Sequence, residues 1–412
     1  MKEKVIKMKV LITTDAYFPM INGVVTSINN LYKQLKKNGH DVKILALSQN
    51  GEEEIIGDVY YLKSFSVRVY PNARVKFPFY NELINELIDW NPDIIHSQTE
   101  FSTMLAAKHI AQKTNAPQIH TYHTMYEDYL GYIFGGKLIR KRSAAKITRR
   151  LLNSVDAVVV PSHKTEMVLL KYGVHKDIFT VPTGIDFSSF QKEITKNDKI
   201  EILTKLGAEE SSRVICFVGR IAEEKHISEI ITLFKDVLNK RSDVVLLIAG
   251  GGPYLEDLKS QVKQEAIEEN VLFTGMVKPE EIYKYYKISD IFVTASTSET
   301  QGLTYVEAMG CGCPIVCRWD LCLDGIIIQG RNGYFYKENY EFAMFVLKIL
   351  EDNELRKSMS IEAHNLSKKY SIDIFGEKIV DVYLNVLGKK SINNIYMSYN
   401  VFERRGHMMH KF

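Results

Sequence analysis

Glu299 and Glu307 stand eight residues apart on either side of Gly302, in the run Ser298-Glu299-Thr300-Gln301-Gly302-Leu303-Thr304-Tyr305-Val306-Glu307-Ala308-Met309-Gly310. An apolar stretch, Ile291 to Ala295, precedes them, so the segment predicts a strand, a tight turn and a helix start. The backbone N–H groups of Gly302, Leu303 and Thr304 at such a start suit a diphosphate. Carboxylates accept hydrogen bonds from hydroxyl pairs: Glu299, on the turn, is placed for sugar hydroxyls, and Glu307, one turn into the helix, for a ribose diol. The spacing alone is common among surface glutamates. The glycine, the strand before it and the small-residue helix after it make it a candidate site.

A second constellation is cationic. Phe217-Val218-Gly219-Arg220-Ile221-Ala222-Glu223-Glu224-Lys225 reads as a strand entering a loop that carries Arg220 and Lys225. A planar guanidinium fork beside a point charge fits phosphate oxygens and would stabilise charge developing on a leaving diphosphate. Gly23, in Tyr17-Phe18-Pro19-Met20-Ile21-Asn22-Gly23-Val24, follows the first strand and lets backbone approach a phosphate at a helix start. Gly250-Gly251-Gly252-Pro253 follows another strand, with Gly251 at its centre, and reads as a loop close to a ligand or as a plain turn.

Two histidines end a strand in His120-Thr121-Tyr122-His123. Three apart on extended backbone, they face opposite sides, and His123, nearer the carboxyl end, is the candidate for orienting or hydrogen bonding a substrate hydroxyl. His96 and Glu100 form a further edge pair with a stronger claim to a structural role. No Asp-x-Asp-like loop and no His/Asp cluster has metal spacing, so neither a metal nor any other cofactor is expected. Cys311-Gly312-Cys313-Pro314 has a one-residue spacer and no second pair, which favours apolar packing over zinc.

The elements that must position these residues alternate. Strand-like and helix-like segments follow one another from Lys9 to Pro161 and restart after the lysine-rich stretch Gln191–Lys199, which predicts two doubly wound, Rossmann-like α/β domains facing a central cleft. A chain of 412 residues, 45% apolar, exceeds what one core usually supports. The expected division is 1–188, 189–372, a C-terminal helix over 373–390 and a tail, 391–412, without a readable period. No stretch is long and apolar enough for a membrane span, and the N-terminus lacks a signal-peptide pattern, so the chain is expected in the cytoplasm.

Charge is uneven. Residues 1–190 carry 24 Lys and Arg against 18 Asp and Glu, whereas the remainder carries 29 against 32. Lys137, Arg140, Lys141, Arg142, Lys146, Arg149 and Arg150 fall in one acid-free stretch with apolar residues interleaved. Such a basic amphipathic helix suits an anionic membrane surface, and equally a solvated helix face. Nucleic acid fits less well, because aromatic residues do not alternate with the cations.

Together, Asn22-Gly23-Val24, His96 to Glu100, Thr121-Tyr122-His123-Thr124-Met125-Tyr126-Glu127-Asp128-Tyr129, Gly219-Arg220 with Lys225, Gly250 to Pro253, and Glu299 to Glu307 occur in an order that resembles retaining glycosyltransferase family four, over about residues 8 to 340. The resemblance implies the GT-B fold and sugar transfer from a nucleotide donor. The Thr121 to Tyr129 run and the basic segment after it are most similar to bacterial 1,2-diacylglycerol 3-glucosyltransferases, which implies UDP-glucose as donor and a membrane lipid, diacylglycerol, as acceptor at the cytoplasmic leaflet. It further implies that Arg220 and Lys225 hold the diphosphate, Glu299 the sugar, Glu307 the ribose, that His123 serves the transfer centre, and that Gly23 closes on the phosphates. Two readings stay open beside it: a hexosyltransferase acting on a polyprenyl-linked or soluble glycan, and a catalytically silent homologue serving as a binding subunit.

Overall fold

Val10, Leu11 and Ile12 are successive and fully buried, the pattern of a strand covered on both faces. In the computed structural model, which describes residues 7–20, 22–66, 74–75, 81–123 and 141–406, this strand, β1 (Lys9–Thr14), lies inside the first sheet. The others are β2 (Asp41–Leu47), β3 (Glu54–Ile56), β4 (Val59–Leu62), the separate short pair β5 (Phe65–Ser66) and β6 (Arg74–Val75), then β7 (Ile94–Ser97), β8 (Gln118–Thr121), β9 (Ala157–Val160) and β10 (Asp177–Thr180). The order is β10-β9-β8-β7-β1-β2-β4-β3. All pairings in that sheet are parallel except β3 with β4. β1 and β7 are therefore the neighbours from which the chain winds in opposite directions.

The second sheet repeats the plan with β11 (Arg213–Val218), β12 (Val244–Ala249), β13 (Val271–Gly275), β14 (Ile291–Thr294), β15 (Ile315–Arg318) and β16 (Gly333–Tyr336). It is parallel throughout, in the order β13-β12-β11-β14-β15-β16. The winding reverses between β11 and β14. Cys216, Cys313, Cys317 and Cys322 are buried, Cys311 is half-buried, and all are free thiols.

The chain forms two compact units: Met1–Gly184 with Asp373–Phe412, and Ile185–Ile372. Outgoing and returning segments run side by side, with Ile185 N–H donating to the Tyr370 carbonyl at 2.8 Å and Ile372 N–H to the Ile185 carbonyl at 3.1 Å. The last helix, Ile372–Gly406, belongs to the first unit. Phe375, Ile379, Val382, Tyr383 and Val386 from it pack in one cluster with Val10, Ile12, Ile28 and Ile44. Its backbone continues through the stretch in which the sequence showed no period.

Lys137, Arg140 and the run Thr124–Tyr129 lie outside the described residues. The rest of the basic segment is the helix Lys141–Leu152. Ala144, Thr148 and Leu152, four apart, are buried, and Leu151 is half-buried. Of the apolar residues on this helix, Ala144 and Leu152 thus face the unit's own core. Ile147, 54% exposed, stands outside with Arg142, Lys146, Arg149 and Arg150.

Ile379 is fully buried, so Ile379→Ala should destabilise the first unit by about 2–5 kcal/mol. Hydrogen exchange should quicken in β1 and β2 and stay unchanged in β11 and β12. Equal protection of β1 in both proteins would show that the returning helix adds nothing to that core.

Candidate active site

In the second unit the loops after β11 and β14 leave adjacent strands at the switch point, the place where doubly wound sheets bind ligands. Lys225, on the 3₁₀ turn Glu223–Lys225, meets Glu299 with Nζ to Oε1 at 2.5 Å, both side chains largely covered. Ser298 Oγ donates to the Glu224 carbonyl at 3.2 Å, tying the loops together. Arg220 is more exposed and pairs with Glu224. The structure therefore brings Arg220, Lys225 and Glu299 together, with Glu224 as an added member.

Gly302 caps the helix Leu303–Gly310 in the left-handed region, with φ at 77°. A Cβ there would lie 2.2 Å from the Tyr305 ring. Leu303 and Thr304 open that helix, so their amides lie at its positive end. Glu307, one turn on, is held by the Tyr286 hydroxyl, which donates to Oε2 at 2.9 Å. Burial pushes the Glu307 carboxyl above the usual range, opposed by that hydrogen bond.

The glycine-rich loop has a different local reason from ligand approach. A Cβ on Gly250 would lie 1.9 Å from the Gly219 carbonyl oxygen, and one on Gly252 2.1 Å from that of Ile221. Ile221 N–H donates to the Gly251 carbonyl at 2.9 Å. These glycines let the loops after β11 and β12 pack backbone to backbone, which fixes where Arg220 begins.

In the first unit, Gly23 is the first residue of the helix Gly23–Lys37, capped by Asn22, whose side chain accepts from Val25 N–H at 2.9 Å. His120 and His123 diverge as the strand period requires. His120 Nδ1 meets Ser97 Oγ at 2.9 Å and its Nε2 meets Glu100 Oε1 at 3.3 Å. His123 Nε2 meets Gln98 Oε1 at 2.7 Å. Burial, then His120, lowers His123 to a pKa of about 3, so the ring is neutral at physiological pH. His96 Nδ1 meets the Tyr383 hydroxyl at 2.8 Å and its Nε2 meets Thr121 Oγ1 at 2.6 Å.

Asp15, just past β1, escaped the sequence reading. It accepts from Thr99 Oγ1 at 2.5 Å, Thr103 N–H at 3.0 Å and Phe101 N–H at 3.3 Å, anchoring the helix Ser102–Thr114 and the loop after β7. Its place at the end of the first strand was the available signal. Tyr286, within the short tyrosine-rich helix Ile282–Lys287, offered none. Among the described residues no group of three or more His, Cys, Asp or Glu is placed to hold a metal ion, and no helix is long and apolar enough to cross a membrane.

Two doubly wound, mainly parallel units, with charged loops gathered at the switch point of the second, form the GT-B architecture. The Anabaena protein HepE in complex with UDP and glucose has this fold at a TM-score of 0.72 and 16% identity, covering 92% of this chain and all of that one. Sucrose-phosphate synthase from Thermosynechococcus elongatus matches at 0.73 and 16% identity, over 93% of this chain and 100% of the other. The chain belongs to glycosyltransferase family four: the profile described as Glycosyltransferase Family 4 matches residues 21–189, and that described as Glycosyl transferases group 1 matches 198–366. It is 35% identical to an alpha-monoglucosyldiacylglycerol synthase of Streptococcus pneumoniae, over 92% of this chain and 86% of the relative. A protein of that name from Acholeplasma laidlawii is 30% identical over 93% and 98%.

Burial raises Asp15 from its ordinary 3.8 to about 6, against its hydrogen bonds and with Glu100 adding to the rise. A carboxyl with a raised folded-state value binds more protons folded than unfolded across that window, so its contribution to stability falls as pH rises from about 4 to 6. Asp15→Asn should therefore gain about 3 kcal/mol relative to the parent between pH 4 and 7. Urea unfolding at both pH values measures it, and a pH-independent difference would overturn the assignment.

Proposed function

We propose that this glycosyltransferase moves glucose from UDP-glucose to the free hydroxyl of 1,2-diacylglycerol, with retention of configuration and without a divalent metal. The observation that carries the acceptor is identity of 35% and 30%, over nearly the whole chain, to two alpha-monoglucosyldiacylglycerol synthases. An α-glucoside formed from the α-linked donor is a retained product. The Lys225–Glu299 and Arg220–Glu224 pairs support the donor side.

In this reading Arg220 and Lys225 take the diphosphate, helped by the helix start at Gly302, Leu303 and Thr304. Lys225 then joins two tasks, since Glu299, its partner, is aimed at the donor sugar while its ammonium offsets charge on the leaving group. Glu307, fixed by Tyr286, takes the ribose diol. Gly251 shapes the loop beside Arg220, and within the first unit Gly23 opens a helix suited to phosphate while His123 suits a substrate hydroxyl. Front-face departure, with the acceptor oxygen entering on the side the diphosphate leaves, relies on leaving-group stabilisation rather than on a carboxylate nucleophile. The acceptor is a lipid, and the exposed cations Arg142, Lys146, Arg149 and Arg150 around Ile147 suit an anionic bilayer face. In this reading the enzyme works peripherally, at the cytoplasmic leaflet.

Arg220→Ala or Lys225→Ala should each lower turnover about a hundredfold, roughly 3 kcal/mol of transition-state stabilisation. The assay offers UDP-glucose with diacylglycerol vesicles and, in parallel, soluble glycan acceptors, with and without EDTA. Turnover near the parent's in either variant sinks the clamp, loss on chelation restored by magnesium sinks metal independence, and transfer to the soluble acceptor alone sinks the lipid reading.

Vesicle co-sedimentation should rise with acidic phospholipid and fall with salt, because surface attraction decays over a Debye length of about 8 Å at physiological ionic strength. Replacing Arg142, Lys146, Arg149 and Arg150 by Gln should weaken it. Sedimentation unchanged in that variant returns the helix to a merely solvated face.

A further inference from the structure

β7 and β8 are parallel, with His96 opposite Ile119 and Ser97 opposite His120. Side chains two apart on each strand therefore share one face, and on this face lie His96 and Gln98 from one edge and Thr121 and His123 from the other. They form two rungs, each reaching one same-face position beyond its register partner. His96 Nε2 meets Thr121 Oγ1 at 2.6 Å, and Gln98 Oε1 meets His123 Nε2 at 2.7 Å. The first rung is closed from behind by Tyr383 of the returning helix, at 2.8 Å from His96 Nδ1.

With the Gln98 amide oriented so that its oxygen faces the ring, that oxygen accepts and His123 Nε2 carries the proton. No partner among the described residues meets Nδ1. Gln98 is 2% exposed, and its Nε2 has no hydrogen-bond partner among the described residues. A buried amide held with one end paired and the other unpaired is costly unless something else completes it.

We propose that Gln98 is a positioning residue for sugar transfer: it holds His123 as the Nε2-protonated tautomer, so that Nδ1 meets the substrate as an acceptor for a hydroxyl proton. This rests on the reading of His123 as a transfer-centre residue. The ligand chemistry is a hydroxyl group, carried by the donor sugar or by the acceptor. His120 is the titratable neighbour whose charge lowers the His123 ring, and His123 in turn lowers His96.

The test uses the full-length protein with ¹⁵N-labelled histidine, at about pH 8. Ring-nitrogen shifts of the parent should show His123 protonated on Nε2, and the Nδ1-protonated form would overturn the proposal. Gln98→Met keeps the bulk and removes the acceptor oxygen. It should lose that single-tautomer signature and about tenfold in kcat, with an unchanged thermal midpoint. Gln98→Glu restores an acceptor oxygen but not the amide donor, and should recover both the signature and most of the turnover. The Met variant's KM tells the two sources apart: a rise for UDP-glucose assigns the hydroxyl to the sugar, a rise for the lipid to the acceptor. Parental tautomer and turnover in Gln98→Met would overturn the proposal. Parental turnover in His123→Ala would instead remove the reading on which it rests, whatever the spectra of the Gln98 variants show.

Discussion

Much of this molecule follows from one constraint on parallel sheets: a right-handed crossover must lie on one face, so a sheet covered on both faces must reverse its winding somewhere. At the reversal, loops from adjacent strands diverge and leave a notch at the carboxyl edge. β1 with β7 and β11 with β14 are the two notches here. Each gathers side chains that would be awkward elsewhere, Asp15 with Thr99 in one and Lys225 with Glu299 in the other. The ionic pair in the second notch is possible because Glu299 and Lys225, far apart in sequence, leave neighbouring strands at the same level.

The two notches are furnished differently. The second carries cations, a helix start and carboxylates, a setting for phosphate and hydroxyls. The first is richer in neutral donors and acceptors, with His96 held well below its ordinary value by burial and by its histidine neighbours. An uncharged imidazole can orient a hydroxyl and offers no positive charge to a phosphate. The two family profiles meet near the boundary between the units.

The sequence carried the repeating plan clearly, because buried parallel strands such as Val244–Ala249 are continuous apolar runs, and two of the loops that follow such strands begin with glycine, at Gly219 and Gly250. It carried the charged site residues for the same reason: Arg220, Lys225, Glu299 and Glu307 follow strands at short, countable distances. What it hid depends on pairing between distant segments. The edge strand β16 and the hairpin β3–β4 are short, and their meaning comes from their neighbours. Tyr286 under Glu307, and Gln98 beside His123, are ordinary residues until the fold sets them within hydrogen-bond reach. The glycines after β12 were legible as glycines, yet their local reason is the carbonyl of another loop, which no spacing reveals. The basic helix was legible in charge, whereas the burial of Leu152 and Ala144 depends on what packs beneath it.

The return of the last helix to the first unit gives synthesis an order. Ile185–Ile372 is continuous along the chain, so the second unit has all of its strands and helices before the C-terminus is made. The first unit does not. Its cluster around Ile12 and Ile44 lacks Phe375, Ile379 and Tyr383 until the closing segment leaves the ribosome, and so does His96 its partner at Nδ1. The half that begins first is therefore completed last, and a chain interrupted near residue 372 would hold a finished second unit beside a first unit with an open core.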